Sequence, residues 1–303
     1  MIAVIDIGTN TFHLIIACKR GNSIELLYKE TIPVKLGEDS FPYGKIKPEA
    51  YLRAMDAFTR FQHTIEKYDV KSVKAVATES LRKAGDREAF ICEVKSRFKI
   101  NIQVITGDLE AELIALGVIR LLRINECVLI MDIGGGSTEF ILADSDGVKW
   151  KASYPLGSTV LKNKFHIEDP MPENEIIALD AYVDSFLETL AVKAEILKPK
   201  MLVGTSGAFD TLSDLICLDK GDFWSLKNLE KSKILELVKR LTEMNNCQRL
   251  TLPGMTEFRA PLMPVAGIEI RTVLNRLGIK KIALAQTALK EGLAWAILND
   301  YSY

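Results

Sequence analysis

Long apolar runs are missing. No stretch approaches the roughly 18 consecutive apolar residues that a membrane-spanning helix needs, so no membrane contact is expected. An excess of either charge is missing too: 39 Lys+Arg stand against 40 Asp+Glu, a formal charge of −1. Binders of duplex nucleic acid usually carry a basic surplus, so that class is not expected, and local geometry must hold any anionic ligand. Cysteine is scarce. Cys18, Cys92, Cys127, Cys217 and Cys247 are odd in number, scattered, and contain no Cys-x-x-Cys. That pattern excludes a disulfide frame or a zinc site and predicts buried free thiols in a reducing cytoplasm. Met1 to Gly8 carries no basic segment ahead of its apolar residues, so no secretion signal is expected. Low-complexity sequence and Pro- or Ser-rich linkers are also absent. What is present, 48% hydrophobic and 26% charged residues over 303 positions, suits one large or two ordinary globular domains.

The apolar pattern predicts an α/β chain. Residues 1–20 read as two strands broken at Asp6-Ile7-Gly8-Thr9-Asn10-Thr11, with a third at Ile24–Glu30. Leu52, Met55, Phe58 and Ile65 recur at helical spacing between Pro48 and Tyr68. Strands Val73–Thr78 and Ile102–Thr106 then alternate with helices Asp86–Phe98 and Asp108–Leu122. The pattern restarts with strands Cys127–Asp132, Thr138–Asp144 and Val148–Tyr154 around the turn Gly134-Gly135-Gly136-Ser137. Helices follow at 173–197 and 228–245 with the strand Met201–Gly204 between them, then helix Val265–Leu277, strand Ile282–Leu284 and helix Thr287–Leu298. The segment starting at Asp6 matches the one starting at Asp132, an offset of 126 residues. A repeat on that scale predicts two similar lobes rather than a solenoid, unless two strand-turn-strand units coincide by chance.

Each Asp-Ile-Gly turn delivers one carboxylate, Asp6 or Asp132, to a sheet edge and then bends through glycine or small hydroxyl residues. Glycines let backbone amides approach a ligand, and consecutive amides form an anion-binding concavity. Thr9, Thr11, Ser137 and Thr138 add hydroxyl donors. An aspartate beside a phosphate cradle makes sense when Mg²⁺ separates the two negative groups; the plainer reading is an Asx-type hairpin turn. Gly204-Thr205-Ser206-Gly207 lies between a strand and a helix, where unsatisfied amides and the positive helix end face an anion, or simply cap the helix. No Gly-x-x-x-x-Gly-Lys-Ser/Thr loop and no Gly-x-Ser-x-Gly elbow occurs. His13 reads as a packed, hydrogen-bonded core histidine, while His63 and His166 have no evident partners, and Trp224 and Trp295 read as packing.

Taken in order, Asp6-Ile-Gly-Thr-Asn-Thr-Phe-His-Leu, Ala77-Thr-Glu-Ser-Leu-Arg82, Thr106-Gly-Asp-Leu-Glu-Ala111, Asp132-Ile-Gly-Gly-Gly-Ser-Thr-Glu139 and Gly204-Thr-Ser-Gly207 resemble the exopolyphosphatase / guanosine pentaphosphate phosphohydrolase (Ppx/GppA) family. Leu252-Pro-Gly254, Arg259 and Gly267 resemble its later motif, and the likeness covers essentially the whole chain in a short two-domain form. The resemblance implies two actin-like (ASKHA, ribonuclease H-like) lobes of mixed sheets flanked by helices, with the active site in the cleft between them. The expected lobes are 1–123, completed by a C-terminal helix 286–303, and 124–285.

The implied activity is Mg²⁺-dependent removal of terminal phosphate from polyphosphate or guanosine pentaphosphate, in the cytoplasm, by a chain for which a homodimer is left open. Phosphoryl transfer needs charge neutralisation and an in-line water. By motif position, Glu110 and Glu139 are the catalytic carboxylates, and which of them activates water is left open. Asp6, Asp132 and Glu139 would hold the metal. Thr9, Asn10, Thr11, Arg82, Gly134, Gly135, Gly136, Ser137, Thr138, Gly204, Thr205, Ser206 and Gly207 would bind phosphate, Arg82 through its planar fork. One departure stands out: the family commonly reads Glu-Glu-Ala-Arg where this chain has Leu109-Glu110-Ala111-Glu112. A non-catalytic polyphosphate or alarmone sensor, and a small-molecule kinase of the same superfamily, are the alternatives.

Overall fold

A computed structural model describes residues 1–21, 23–37, 44–216 and 222–301. The strands Ile2–Ile7 (β1), Thr11–Arg20 (β2) and Ser23–Pro33 (β3) form an antiparallel meander. β1 is apolar and buried along nearly its whole length, as a central strand covered on both faces must be, whereas β3, at the sheet edge, exposes Leu27, Lys29, Thr31 and Pro33 in alternation. Helix Pro48–Lys67 (α1) leads to Val73–Ala77 (β4), Glu79–Lys83 (α2), Arg87–Phe98 (α3), Ile102–Val104 (β5) and Gly107–Ala115 (α4). β4 and β5 add in parallel on the other side of β1, giving the order β3-β2-β1-β4-β5.

The second sheet repeats this plan. Val128–Ile133 (β6), Thr138–Asp144 (β7) and Gly147–Tyr154 (β8) form the meander, followed by Ser158–Phe165 (α5), Glu173–Asp184 (α6) and Glu188–Leu197 (α7). Leu202–Thr205 (β9) runs parallel to β6 and leads into Ser206–Ile216 (α8). Lys227–Leu229 (β10), Lys231–Glu243 (α9), Asn246–Leu250 (α10), Met263–Leu277 (α11) and Ile282–Leu284 (β11) complete the order β10-β11-β9-β6-β7-β8. The last helix, Leu289–Leu298 (α12), packs against α4 and β1. Two compact units result: Met1–Gly117 with Leu289–Tyr303, and Val118–Ala288. Each has its own apolar core, one around Phe12, Phe58, Phe61 and Phe90, the other around Phe140, Phe209 and the apolar face of α11. Mixed sheets flanked by helices, twice over, are the actin-like pair of lobes that the motifs implied.

Several local expectations fail for identifiable reasons. Leu52 is 65% exposed: at about 100° per residue it lies far round α1 from the buried line Ala50, Ala54, Phe58, Phe61 and Ile65. The helix expected at 173–197 is two helices, because the chain turns after Asp184 and the Ser185 hydroxyl donates to the Tyr182 carbonyl while Leu187 drops into the core. The helix expected at 228–245 begins only at Lys231, since Lys227–Leu229 pairs with β11 as an edge strand. The helix expected at 108–122, by contrast, is present to 122, with α geometry to Ala115, a π turn at Leu116–Arg120 and α geometry again at 121–122. The thiols are not all buried. Cys92 lies on the face of α3 opposite Phe90 and Val94, and both it and Cys247 are exposed, while Cys18 and Cys127 are half-buried. None of these four is in a disulfide, and Cys217 lies outside the described residues.

Candidate active site

In the first unit the β1–β2 turn is closed by the Gly8 amide donating to the Thr11 carbonyl at 3.1 Å. A Cβ at Gly8 would sit 2.9 Å from that same oxygen, so the tight turn depends on glycine. The carbonyl of Asn10 accepts from the amides of Val34 and Lys35, and that of Thr9 from the amide of Gly37. Thr9 and Asn10 are buried, and Thr11 is half-buried with its hydroxyl 2.9 Å from His13 Nε2. Asp6 is half-buried and directly opposite His13 in the β1–β2 register, so their side chains share a face. His13 is held by threonines on both sides, its Nδ1 lying 2.9 Å from the Thr31 hydroxyl, and is half-buried rather than part of the core.

Glu110 sits in the first turn of α4, which Thr106 caps by accepting from the Leu109 amide at 3.2 Å. It is 7% exposed. Arg82 reaches it from α2: Nη1 donates to Glu110 Oε2 at 3.1 Å and to the Ile105 carbonyl at 2.7 Å. Nε and Nη2 of Arg82 both donate to Glu79 Oε2, at 2.9 and 2.7 Å. Burial opposes the charge of Arg82, but Glu110 and Glu79 outweigh it and push the guanidinium pKa up. Burial likewise acts to raise Glu79, yet its hydrogen bonds with Lys83 and Arg82 hold its carboxyl below the ordinary value. The fork of Arg82 therefore grips two protein carboxylates and fixes Glu110 in place. Glu79 was not singled out in the sequence as a site residue; the motif Ala77-Thr-Glu-Ser-Leu-Arg82 held the signal, an acid three positions before the arginine on a helix.

The second unit carries the richer arrangement. Asp132, 6% exposed, ends β6 opposite Glu139 on β7 and beside Thr205 on β9. Glu139 in turn faces Ser153 on β8, whose hydroxyl donates to Glu139 Oε1 at 2.7 Å. One row across four strands thus reads Thr205–Asp132–Glu139–Ser153, all on one face of the sheet. The turn above it, Gly134–Ser137, is braced by α5. The Ser158 amide and hydroxyl donate to the Gly134 carbonyl, and the Thr159 amide to that of Gly135. At Gly157 a Cβ would lie 2.4 Å from the carbonyl carbons of Gly135 and Gly136, so backbone packs directly on backbone. The amides of Gly135, Gly136 and Ser137 donate to no backbone carbonyl among the described residues, which leaves them available to the anion that the motif implied.

Thr138 and Glu269 lie beneath this turn, both 0% exposed. Burial drives the Glu269 carboxyl well above its ordinary pKa; the nearby Thr138 hydroxyl works the other way, and the Glu139 charge adds to the rise. Although Thr138 is near enough to act on that charge, neither its hydroxyl nor either Glu269 oxygen completes a hydrogen bond among the described residues. Nothing in the sequence pattern marked Glu269, which stands in an otherwise apolar stretch of α11.

Gly204–Gly207 forms the junction of β9 and α8. Thr205 is buried, with its hydroxyl donating to the Thr287 carbonyl at 3.0 Å, and Ser206 takes a left-handed φ of 67°. Arg259 packs its guanidinium on Gly207, where a Cβ would meet Nη2 at 1.6 Å. Burial lowers the Arg259 pKa to about 10, against the pull of Asp210. Arg259 as a whole residue is half-buried. Arg259 was recognised as part of a motif but given no role.

Asp132 and Glu139, as register partners beside an amide cradle, fit Mg²⁺. No group of three or more His, Cys, Asp or Glu residues converges among the described residues. Mg²⁺ needs no such cage, since it takes one or two carboxylates and completes its shell with water and phosphate oxygens.

The profile of the Ppx/GppA phosphatase family matches residues 15–300. An exopolyphosphatase from Cytophaga hutchinsonii is 33% identical, superposes with a TM-score of 0.94, and the match covers 99% of this chain and 98% of that one. A family member from Aquifex aeolicus, 24% identical with a TM-score of 0.83 over 100% and 99% of the two chains, shares the fold. The guanosine-5'-triphosphate,3'-diphosphate pyrophosphatase of Aliivibrio fischeri is 24% identical over 303 residues, and this chain spans 60% of that relative's length. No helix of the described residues is long and apolar enough to cross a membrane. The chain belongs to the Ppx/GppA phosphatase family, a family of hydrolases.

Proposed function

We propose that the protein is a Mg²⁺-dependent phosphoanhydride hydrolase that releases terminal phosphate from inorganic polyphosphate or guanosine pentaphosphate. The observation that carries this reading is the Asp132–Glu139 pair next to the Gly134–Ser137 cradle: two carboxylates beside an anion site call for a cation. Bound there, Mg²⁺ would neutralise charge on the phosphate oxygens. The residues do the rest. Amides of Gly135, Gly136 and Ser137 orient a phosphate, with the Gly204–Gly207 junction beside them; the Thr138 hydroxyl, expected to join them, is buried beneath the turn, and the Gly134 amide is taken by the Ser137 carbonyl. In the first unit Thr9, Asn10 and Thr11 shape the equivalent turn, and Asp6 is its carboxylate. Glu110 accepts the proton of the attacking water, and Arg82 holds it in orientation. Glu139 is the metal-side carboxylate, oriented by Ser153.

The reading places the protein in the cytoplasm, in keeping with free thiols at Cys18, Cys92, Cys127 and Cys247. A second reading, a sensor that binds the same polyanions without turnover, is favoured only by Leu109 and Glu112, both half-buried on α4 beside Glu110. Phosphate release from long-chain polyphosphate, tripolyphosphate and guanosine pentaphosphate, with Mg²⁺ and with chelator, separates the two. Metal-dependent release supports the hydrolase and ranks its substrates. Tight binding of all three with no release supports the sensor.

A further inference from the structure

The Gly134–Ser137 turn rests on the N-terminus of α5, and the other end of α5 is tied down by an ionic network with no part in the chemistry above. His166, the C-terminal cap of α5, is buried, and its Nε2 lies 3.1 Å from Asp169 Oδ1. The same oxygen accepts from Arg249 Nη2 at 2.7 Å, and Asp169 Oδ2 accepts from the Asn246 amide at 2.6 Å. Burial tends to raise Asp169, but Arg249, the Asn246 amide and His166 outweigh it and hold the carboxyl below its ordinary range. Asp169 is therefore an acceptor, and His166 Nε2 is the donor.

Arg249 is 0% exposed, and its Nη1 donates to the carbonyls of Leu241 and Met244 at 3.1 and 2.5 Å. Asp169 thus joins the end of α5, the start of α10 and, through Arg249, the end of α9. A buried ion pair contributes little net stability compared with apolar packing, yet it fixes one arrangement of the elements it joins. No slack exists at the far end of α5, where Gly157 lies against Gly135 and Gly136 and the Ser158 and Thr159 amides hold the turn's carbonyls. A shift of α5 must move the cradle.

We propose that Asp169, with His166 and Arg249, is the positioning hub of the phosphate-binding turn, acting on it through α5 as a rigid strut. This rests on the reading of Gly134–Ser137 as a phosphate cradle. His166→Ala severs α5 from Asp169 while leaving the Asp169–Arg249 pair intact, and Asp169→Asn weakens both links. Binding of imidodiphosphate, a non-hydrolysable analogue of a phosphoanhydride with NH in place of the bridging oxygen, is measured by calorimetry with Mg²⁺, beside KM and kcat for tripolyphosphate. Both variants are expected to raise the dissociation constant and KM by about tenfold, the scale seen when outer-shell support of a binding group is removed, with kcat held within about twofold. His166→Gln, which keeps an N–H donor, should recover most of the affinity. A fall in melting temperature and kcat at unchanged KM and dissociation constant would assign the network a merely structural role and overturn the proposal. Should both variants fail to fold, His166→Phe, which fills the space of the ring without a donor, decides: a tenfold rise in the dissociation constant supports the donor role, and unchanged affinity overturns it. A wild-type chain that neither binds imidodiphosphate nor releases phosphate removes the cradle reading itself. Wild-type binding with unaltered affinity in both variants removes only the hub.

Discussion

The two strand-turn-strand heads share a backbone plan and differ in the row of side chains beneath it. Across the first sheet the row reads Thr31, His13, Asp6 and Val76; across the second it reads Ser153, Glu139, Asp132 and Thr205. The aspartate is common to both, but its cross-strand neighbour is a histidine held by two threonines in one and a second carboxylate in the other. The seats differ as well. The first turn leans on the loop residues Val34, Lys35 and Gly37, and the second on the N-terminus of a helix, whose dipole adds positive potential beside its amides. One backbone device therefore supports two electrostatic roles. In the proposed mechanism the second head would hold a cation with its phosphate. The first unit instead keeps its additional carboxylate, Glu110, on a helix and clamps it with arginine.

If that division holds, Asp132→Asn should raise the Mg²⁺ needed for half-maximal phosphate release by about tenfold or more, with turnover returning at high Mg²⁺, while Asp6→Asn shifts it less. Equal shifts in the two Mg²⁺ titrations would break the contrast. The seats make a smaller, structural distinction. Gly157→Ala forces a Cβ to 2.4 Å from two carbonyl carbons and should cost about 2–3 kcal/mol in urea unfolding. Gly8→Ala meets one oxygen at 2.9 Å and should cost about 1 kcal/mol. A reversed order would mean that the helix seat yields more readily than the loop.

The smallest effect is in the pH dependence of stability, where the two units have opposite signs. Glu79 in the first unit has a folded pKa below its ordinary value, so its contribution is full above the unfolded pKa and is lost as pH falls through the folded one. Glu269 in the second has a folded pKa well above its ordinary value, so its contribution is full below the unfolded pKa and is lost as pH rises through the folded one. Melting temperatures across the acid-to-alkaline range should show Glu79→Gln flattening the acid side and Glu269→Gln the alkaline side. The same change in both variants would contradict the assignment of opposite environments.

What could be read from the chain alone was whatever local chemistry dictates. Asp6-Ile-Gly and Asp132-Ile-Gly announce buried strands ending in tight turns, and the doubled pattern gave the two mixed sheets. Glu110 was marked by its motif, but its clamp by Arg82 was not, because Arg82 was read as aimed at substrate and its partners are 3 and 28 positions away along the chain. Glu269 was illegible for a different reason. A lone acid in an apolar helix reads as a solvent-facing residue, and only packing reveals that α11 is covered on that side too. The hub at Asp169 draws on Arg249, 80 positions away; Asp169 itself is only three positions from His166, but a short-range His-x-x-Asp pair in a loop carries no pattern that marks it in sequence. α5 itself was missed because Ser158–Phe165 is short and weakly patterned, its place being set by contact with Gly134 and Gly135.

The most direct test of the account is phosphate release by Glu110→Gln at saturating Mg²⁺ and substrate, beside the wild-type chain. The substitution keeps the side chain's size and leaves Arg82 paired with Glu79, so the unfolding transition should be little changed. The account predicts turnover reduced by roughly 10² or more, the cost of losing a general base, with the Mg²⁺ requirement unaltered. Turnover equal to wild type would contradict it and remove Glu110 from the chemistry.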